Sequence, residues 1–185
     1  MQTKEYKAEL IKKCHKGDII GVRSETLIGK AIRFFTGNVN HSAILIDSEK
    51  GLLMEAALSG VHIMHVNEYI IPDSEEIYPC AVIGMSDTDK SSLIDEVVSI
   101  YCSGEKYDVL GIVGLAFRFS IQRYWWRLCK YINWDRNKLA NSNKVWCSEL
   151  IAAIYLRKNI KFTEESITYL TPNEIYNSSA VTKIV

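Results

Sequence analysis

The sequence predicts an α+β protein of one domain, and three observations predict it. Short β-like runs separated by tight turns fill the first half of the chain, and helical periodicity takes over from residue 87. Length and composition fit a domain with its own core: 185 residues, 48% of them hydrophobic, with only 10 Gly and 3 Pro. That balance excludes a disordered or collagen-like chain. Equal numbers of basic and acidic residues, 22 of each, argue against a surface devoted as a whole to nucleic acid.

Each element has its own signal. Leu10 and Ile11 among Lys and Glu make Glu5 to Cys14 a short amphipathic helix, stopped before Gly17-Asp18. Asp18 to Val22 reads as a strand. Leu27, Ile28, Ala31, Ile32 and Phe35 then recur at helical spacing up to Gly37. Ser42–Ile46, Leu52–Ala56 and Val61–Val66, broken by Ser48-Glu49-Lys50-Gly51 and Ser59-Gly60, form an antiparallel meander. Pro79–Gly84 is a fourth strand candidate. Helices are expected over Asp87–Tyr101, Tyr107–Phe119, Ile121–Ile132 and Cys147–Lys158, and a last one starts with Thr171 as N-cap and Pro172 at the first position.

The opening Met1-Gln2-Thr3-Lys4-Glu5-Tyr6-Lys7 is charged and leads into no apolar run, so no signal peptide is expected. The longest apolar run, Val109–Phe117, is nine residues, about half of a membrane span. Five scattered cysteines without a CxxC speak against a disulfide framework or zinc finger and for a reducing, intracellular setting.

Cys147 falls in the first turn of the most regular helix, whose buried stripe is Leu150, Ile151, Ile154 and Tyr155. Unpaired N–H groups and the dipole there favour a thiolate. Placement alone leaves a second reading open, a small buried apolar side chain. A nucleophile needs a base, and four histidines offer themselves. His15 follows a surface helix, and His62 and His65, three apart on one strand, face opposite ways. His41 stands at the mouth of an apolar strand, where an active-site imidazole is well held. If the strands 42–46 and 52–56 pair through an odd-length turn, Glu55 shares the face of His41, one or two pairs along; an even turn puts it on the wrong face. A carboxylate in Leu52-Leu53-Met54-Glu55-Ala56-Ala57-Leu58 needs a partner, and an imidazole nitrogen suits it.

Asn40-His41-Ser42-Ala43-Ile44, Met54-Glu55-Ala56, Gly60-Val61, Gly104-Glu105-Lys106-Tyr107-Asp108 and Trp146-Cys147-Ser148-Glu149-Leu150 follow one another in this order. The series resembles the permuted NlpC/P60 group of papain-like cysteine hydrolases, the YiiX/YebB-like type to which certain poxvirus proteins are similar. The histidine strand precedes the cysteine helix here, the reverse of ordinary NlpC/P60 proteins. Cys-Ser-Gly becomes Cys147-Ser148-Glu149, a departure shared by the permuted group. The resemblance runs from about Gly17 to the tail. It implies a circularly permuted papain-like fold with Cys147 as nucleophile, His41 as general base, Glu55 as orienting residue and Tyr107 near the oxyanion. It implies no metal and no organic cofactor.

Residues 118–144 form an insertion before the cysteine. Arg118, Arg123, Arg127, Lys130, Arg136, Lys138 and Lys144 oppose Asp135 alone, a local +6 that leaves −6 on the remainder. Tyr124, Trp125, Trp126, Tyr131 and Trp134 are interleaved. One reading is a helix packed on the domain with a solvated basic side. The other is a surface for an anionic membrane or polymer, formed by Arg123, Arg127 and Lys130 with Trp126 exposed and Trp125 buried; nucleic acid ranks last. The expected activity is hydrolysis of an amide bond in a peptide or peptidoglycan-like substrate. Acyl transfer or lipid-ester or thioester hydrolysis is the alternative within the enzyme class, and a catalytically silent binding module the alternative outside it. A phage or viral protein of this kind would reach a cell wall after lysis.

Overall fold

The computed structural model describes residues 2–57, 60–103, 106–107, 144–164, 166–167 and 170–185. The insertion helices expected over Tyr107–Phe119 and Ile121–Ile132, and the side chains of Trp125, Trp126, Arg123, Arg127 and Lys130, lie outside the described residues.

The chain is α+β. It runs α1 (Lys4–Lys12), β1 (Ile19–Ser24), α2 (Leu27–Thr36), β2 (His41–Asp47), β3 (Leu52–Ala57), β4 (Gly60–His65), α3 (Asn67–Ile70), β5 (Glu75–Val82) and α4 (Asp87–Ser103). After it come β6 (Lys106–Tyr107), β7 (Lys144–Val145), α5 (Cys147–Leu156), α6 (Pro172–Tyr176) and β8 (Val181–Lys183). Six strands form one open antiparallel sheet in the order β4-β3-β2-β1-β5-β8.

Helices cover both faces, so the strands read as continuous apolar runs rather than alternating ones. Ile19, Ile44, Ile46, Met54, Ala56, Cys80 and Val82 pack with Leu93, Val97, Leu150, Ile151, Ile154 and Tyr155 of α4 and α5. Ile20, Val22, Ala43, Leu45, Leu53 and Ile77 point the other way, to Leu10, Ile11 and Cys14 beside α1 and to Val66 and Tyr69 near α3. Fully burying each such side chain is worth about 1.5–3 kcal/mol before entropy is charged against it.

Thr3 and Thr26 cap α1 and α2 through their hydroxyls, which accept from the Tyr6 and Gly29 N–H groups. Thr171 and Glu174 form a capping box on α6 with Pro172 in its first turn. Two expectations need correction. β5 starts at Glu75, four residues before the expected Pro79. The β8 ladder covers only Cys80–Val82, and at its end Pro79 takes part through its carbonyl alone, which accepts the Ile184 N–H at 3.0 Å, so a missing N–H is tolerated. Lys106–Tyr107 are extended, not the start of a helix, and bridge in parallel to Lys144–Val145. No helix among the described residues is long and apolar enough to cross a membrane.

Candidate active site

β2 and β3 pair through Ala43↔Glu55, with a bulge between Leu45 and Asp47. The register gives His41 the same face as Ala43 and hence as Glu55. Glu55 is 7% exposed, and its carboxylate is fully engaged. His41 Nε2 lies 2.6 Å from Oε2, and the Tyr69 hydroxyl from α3 donates to the same oxygen. His62, directly opposite Glu55 on β4, brings Nε2 to 2.9 Å from Oε1. Burial would raise the carboxyl pKa, but the hydrogen bonds and charges of His41 and His62 outweigh it and hold it below the ordinary value.

The Cys147 thiol hydrogen-bonds His41 at the N-terminal end of β2. Glu55 occupies Nε2, which leaves Nδ1 for the sulfur. Cys147 opens α5, where Trp146 at the N-cap contributes no side-chain hydrogen bond. Helix N–H groups therefore stay directed at the sulfur's surroundings. Ser148 anchors this turn by donating to the Leu170 carbonyl at 2.6 Å. Burial pushes the thiol pKa up. The charge and hydrogen bond of His41, with the N–H and hydroxyl of Ser42, more than reverse this and bring it below the ordinary thiol value. Burial likewise lowers the His41 pKa, and the Cys147 and Glu55 contacts carry it well above 6.5. Both shifts favour thiolate and imidazolium over two neutral groups.

The frame around the pair is tightly tied. Asn40 donates from Nδ2 to the carbonyls of Ser24 (3.0 Å) and Gly29 (2.8 Å), and its Oδ1 accepts the Ser24 N–H. Gly29 permits this approach, since a Cβ there would lie 2.6 Å from the Ser24 oxygen. Lys7, with no exposed surface, donates to the carbonyls of Tyr69 (3.1 Å), Pro72 (2.7 Å) and Glu75 (3.0 Å). All three ammonium protons are spent on the loop that carries Tyr69.

Cys147, His41 and Glu55 are thus brought together. The backbone of Tyr107 bridges to Val145, two residues before Cys147; its side chain lies outside the described residues. Sequence reasoning missed His62, Tyr69 and Lys7. The register across the β3–β4 hairpin could have found His62, which was compared with His65 rather than with Glu55.

The topology and site allow a comparison with solved structures. The crystal structure of metalloprotein yiiX from Escherichia coli O157:H7, DUF1105, superposes with a TM-score of 0.64, at 15% sequence identity, covering 92% of this chain and 96% of that one. The two share a fold. No protein-family model matches the sequence, and no curated protein matches it. yiiX is described as a metalloprotein. Among the described residues here, no group of three or more His, Cys, Asp or Glu is placed to hold a metal ion. His41 and His62 each turn Nε2 to Glu55 instead. Among the described residues, the donor set does not fit a resident metal.

Proposed function

We propose that the chain is a cysteine hydrolase with a circularly permuted papain-like fold, in which Cys147, His41 and Glu55 cleave an amide bond. The observation that carries this reading is the Cys147 thiol at an uncapped helix N-terminus, hydrogen-bonded to an imidazole whose other nitrogen is fixed by a buried carboxylate.

The thiol proton rests on His41. The Cys147 sulfur attacks the substrate carbonyl, and the oxyanion formed accepts from the Cys147 backbone N–H. His41 gives its proton to the leaving amine as the C–N bond breaks. It then takes a proton from water, which attacks the thioester and releases the acid with the free thiol. Glu55 holds the ring throughout and offsets its positive charge.

The test is acyl-enzyme trapping by mass spectrometry with activated peptide amides, thioesters and acyl esters. A mass gain on Cys147 that is absent in Cys147→Ala and His41→Asn supports the hydrolase, and partition of the acyl group to an added amine identifies acyl transfer. Failure of every acyl donor to load Cys147 would return the fold to a binding role.

A further inference from the structure

Ser42 is the polar interruption of an apolar row. On the face of β2 turned to α5 it is followed by Ile44 and Ile46, both in the core that α5 covers. The residue is 1% exposed, and its hydroxyl has no hydrogen-bond partner among the described residues. Its cross-strand neighbour on β1 is Gly21, so no side chain reaches it from there. The β2–β3 register begins at Ala43↔Glu55, one residue beyond Ser42. The Cys147 sulfur is near enough that the N–H and hydroxyl of Ser42 draw its pKa down. A buried hydroxyl is costly unless bonded, and a charged acceptor suits it best.

We propose that Ser42 is a catalytic residue whose hydroxyl donates to the Cys147 sulfur and holds the nucleophile in line with His41. The inference rests on the cysteine-hydrolase reading and deepens it. His41 touches the sulfur from one side and removes its proton. Ser42 turns its unpartnered hydroxyl to the thiolate from the strand below α5, keeps its own proton, and stabilises the charge left behind. As the sulfur bonds to the carbonyl carbon its charge passes to the oxyanion, and the Ser42 contact relaxes. Among the described residues, the titratable groups around the pair include His41 on β2, Glu55 on β3, His62 on β4, Tyr69 on α3 and Glu75 on β5, and all remain in a Ser42 variant.

The experiment is the pH profile of Cys147 alkylation by iodoacetamide in wild type, Ser42→Ala, Ser42→Thr and His41→Asn, with thermal unfolding of each. In Ser42→Ala the acid limb should move to higher pH and the rate at mildly acidic pH should fall about tenfold, at an unchanged melting temperature. Ser42→Thr, which keeps the hydroxyl, should restore the wild-type limb. A Ser42→Ala profile that overlays wild type overturns the proposal, as does a folded Ser42→Thr that behaves like Ser42→Ala. The hydrolase reading fails separately: if Ser42→Ala moves the limb but no acyl donor loads Cys147, the donor role stands and hydrolysis does not. An ordinary thiol profile in wild type, unaffected by His41→Asn, overturns both.

Discussion

His62 stands directly across the β3–β4 ladder from Glu55, and its Nε2 lies 2.9 Å from Oε1, the oxygen that His41 leaves unused. The carboxylate thus cannot rotate away from His41 without surrendering a second imidazole and the Tyr69 hydroxyl. Glu55→Gln keeps the shape and removes the charge. It should lower turnover about a hundredfold and move the alkaline limb of the rate profile to lower pH, because Glu55 raises the His41 pKa. His62→Gln, which retains a donor, should cost about tenfold or less. Equal losses in the two variants would mean that His62 does more than hold the carboxylate.

The thiols should react in a set order. Burial pushes Cys14 and Cys80 up to about 12, whereas Cys147 is drawn below the ordinary value. Limiting iodoacetamide at mildly acidic pH should modify Cys147 well before either, as read by peptide mass mapping. Earlier labelling of Cys14 or Cys80 would contradict the assignment.

Removing the Lys7 ammonium leaves three carbonyls short of a donor. Lys7→Met should destabilise the protein by about 3 kcal/mol in urea unfolding. It should also slow turnover at temperatures where the variant is still folded, because the loop that carries Tyr69 loses its anchor. Unaltered turnover in the folded variant would separate Lys7 from the site.

Asp18 gives a pH dependence of stability with a defined sign. Burial raises its pKa above the ordinary 3.8, against the His15 N–H and Lys90. Between the unfolded and folded values, the folded chain keeps a proton that the unfolded chain has lost. Its contribution therefore grows as pH falls through the folded value and is complete below the unfolded one. Glu55 has the opposite sign and is common to both chains in a comparison with Asp18→Asn. The wild type should gain stability relative to Asp18→Asn on acidification through the window above 3.8, read by denaturant unfolding at stepped pH. A constant difference would show that Asp18 does not titrate there.

Strand parity alone was not enough to place His41 and Glu55 on one face: the turn at 48–51 is even in length, and the bulge between Leu45 and Asp47, which the sequence does not announce, restores the shared face. The helix-start position of Cys147 was legible from its apolar stripe. Tyr69 was not, since it sits in a four-residue helix whose approach to the sheet depends on Lys7, 62 residues earlier. Lys7 looked like any charge on an amphipathic helix. Its burial follows from the carbonyls of Tyr69, Pro72 and Glu75, which lie 62 to 68 residues away along the chain. Pro79 misled because proline marks strand starts more often than the end of a ladder, where only its carbonyl is needed. Tyr107 misled because an apolar run follows it, while its own backbone is bridged to the strand that precedes Cys147.

The order of the pieces along the chain has a consequence for biosynthesis. Five of the six sheet strands, with His41, Glu55, His62 and Tyr69 among them, lie before residue 83. A ribosome adding about 5–20 residues per second releases that half seconds before Cys147. The half that carries His41 and Glu55 is thus made first, and the sulfur that meets them is made last. Under the proposed cysteine-hydrolase reading, translation order alone therefore decides that a thiolate paired with His41 is the last part of the site to come into being.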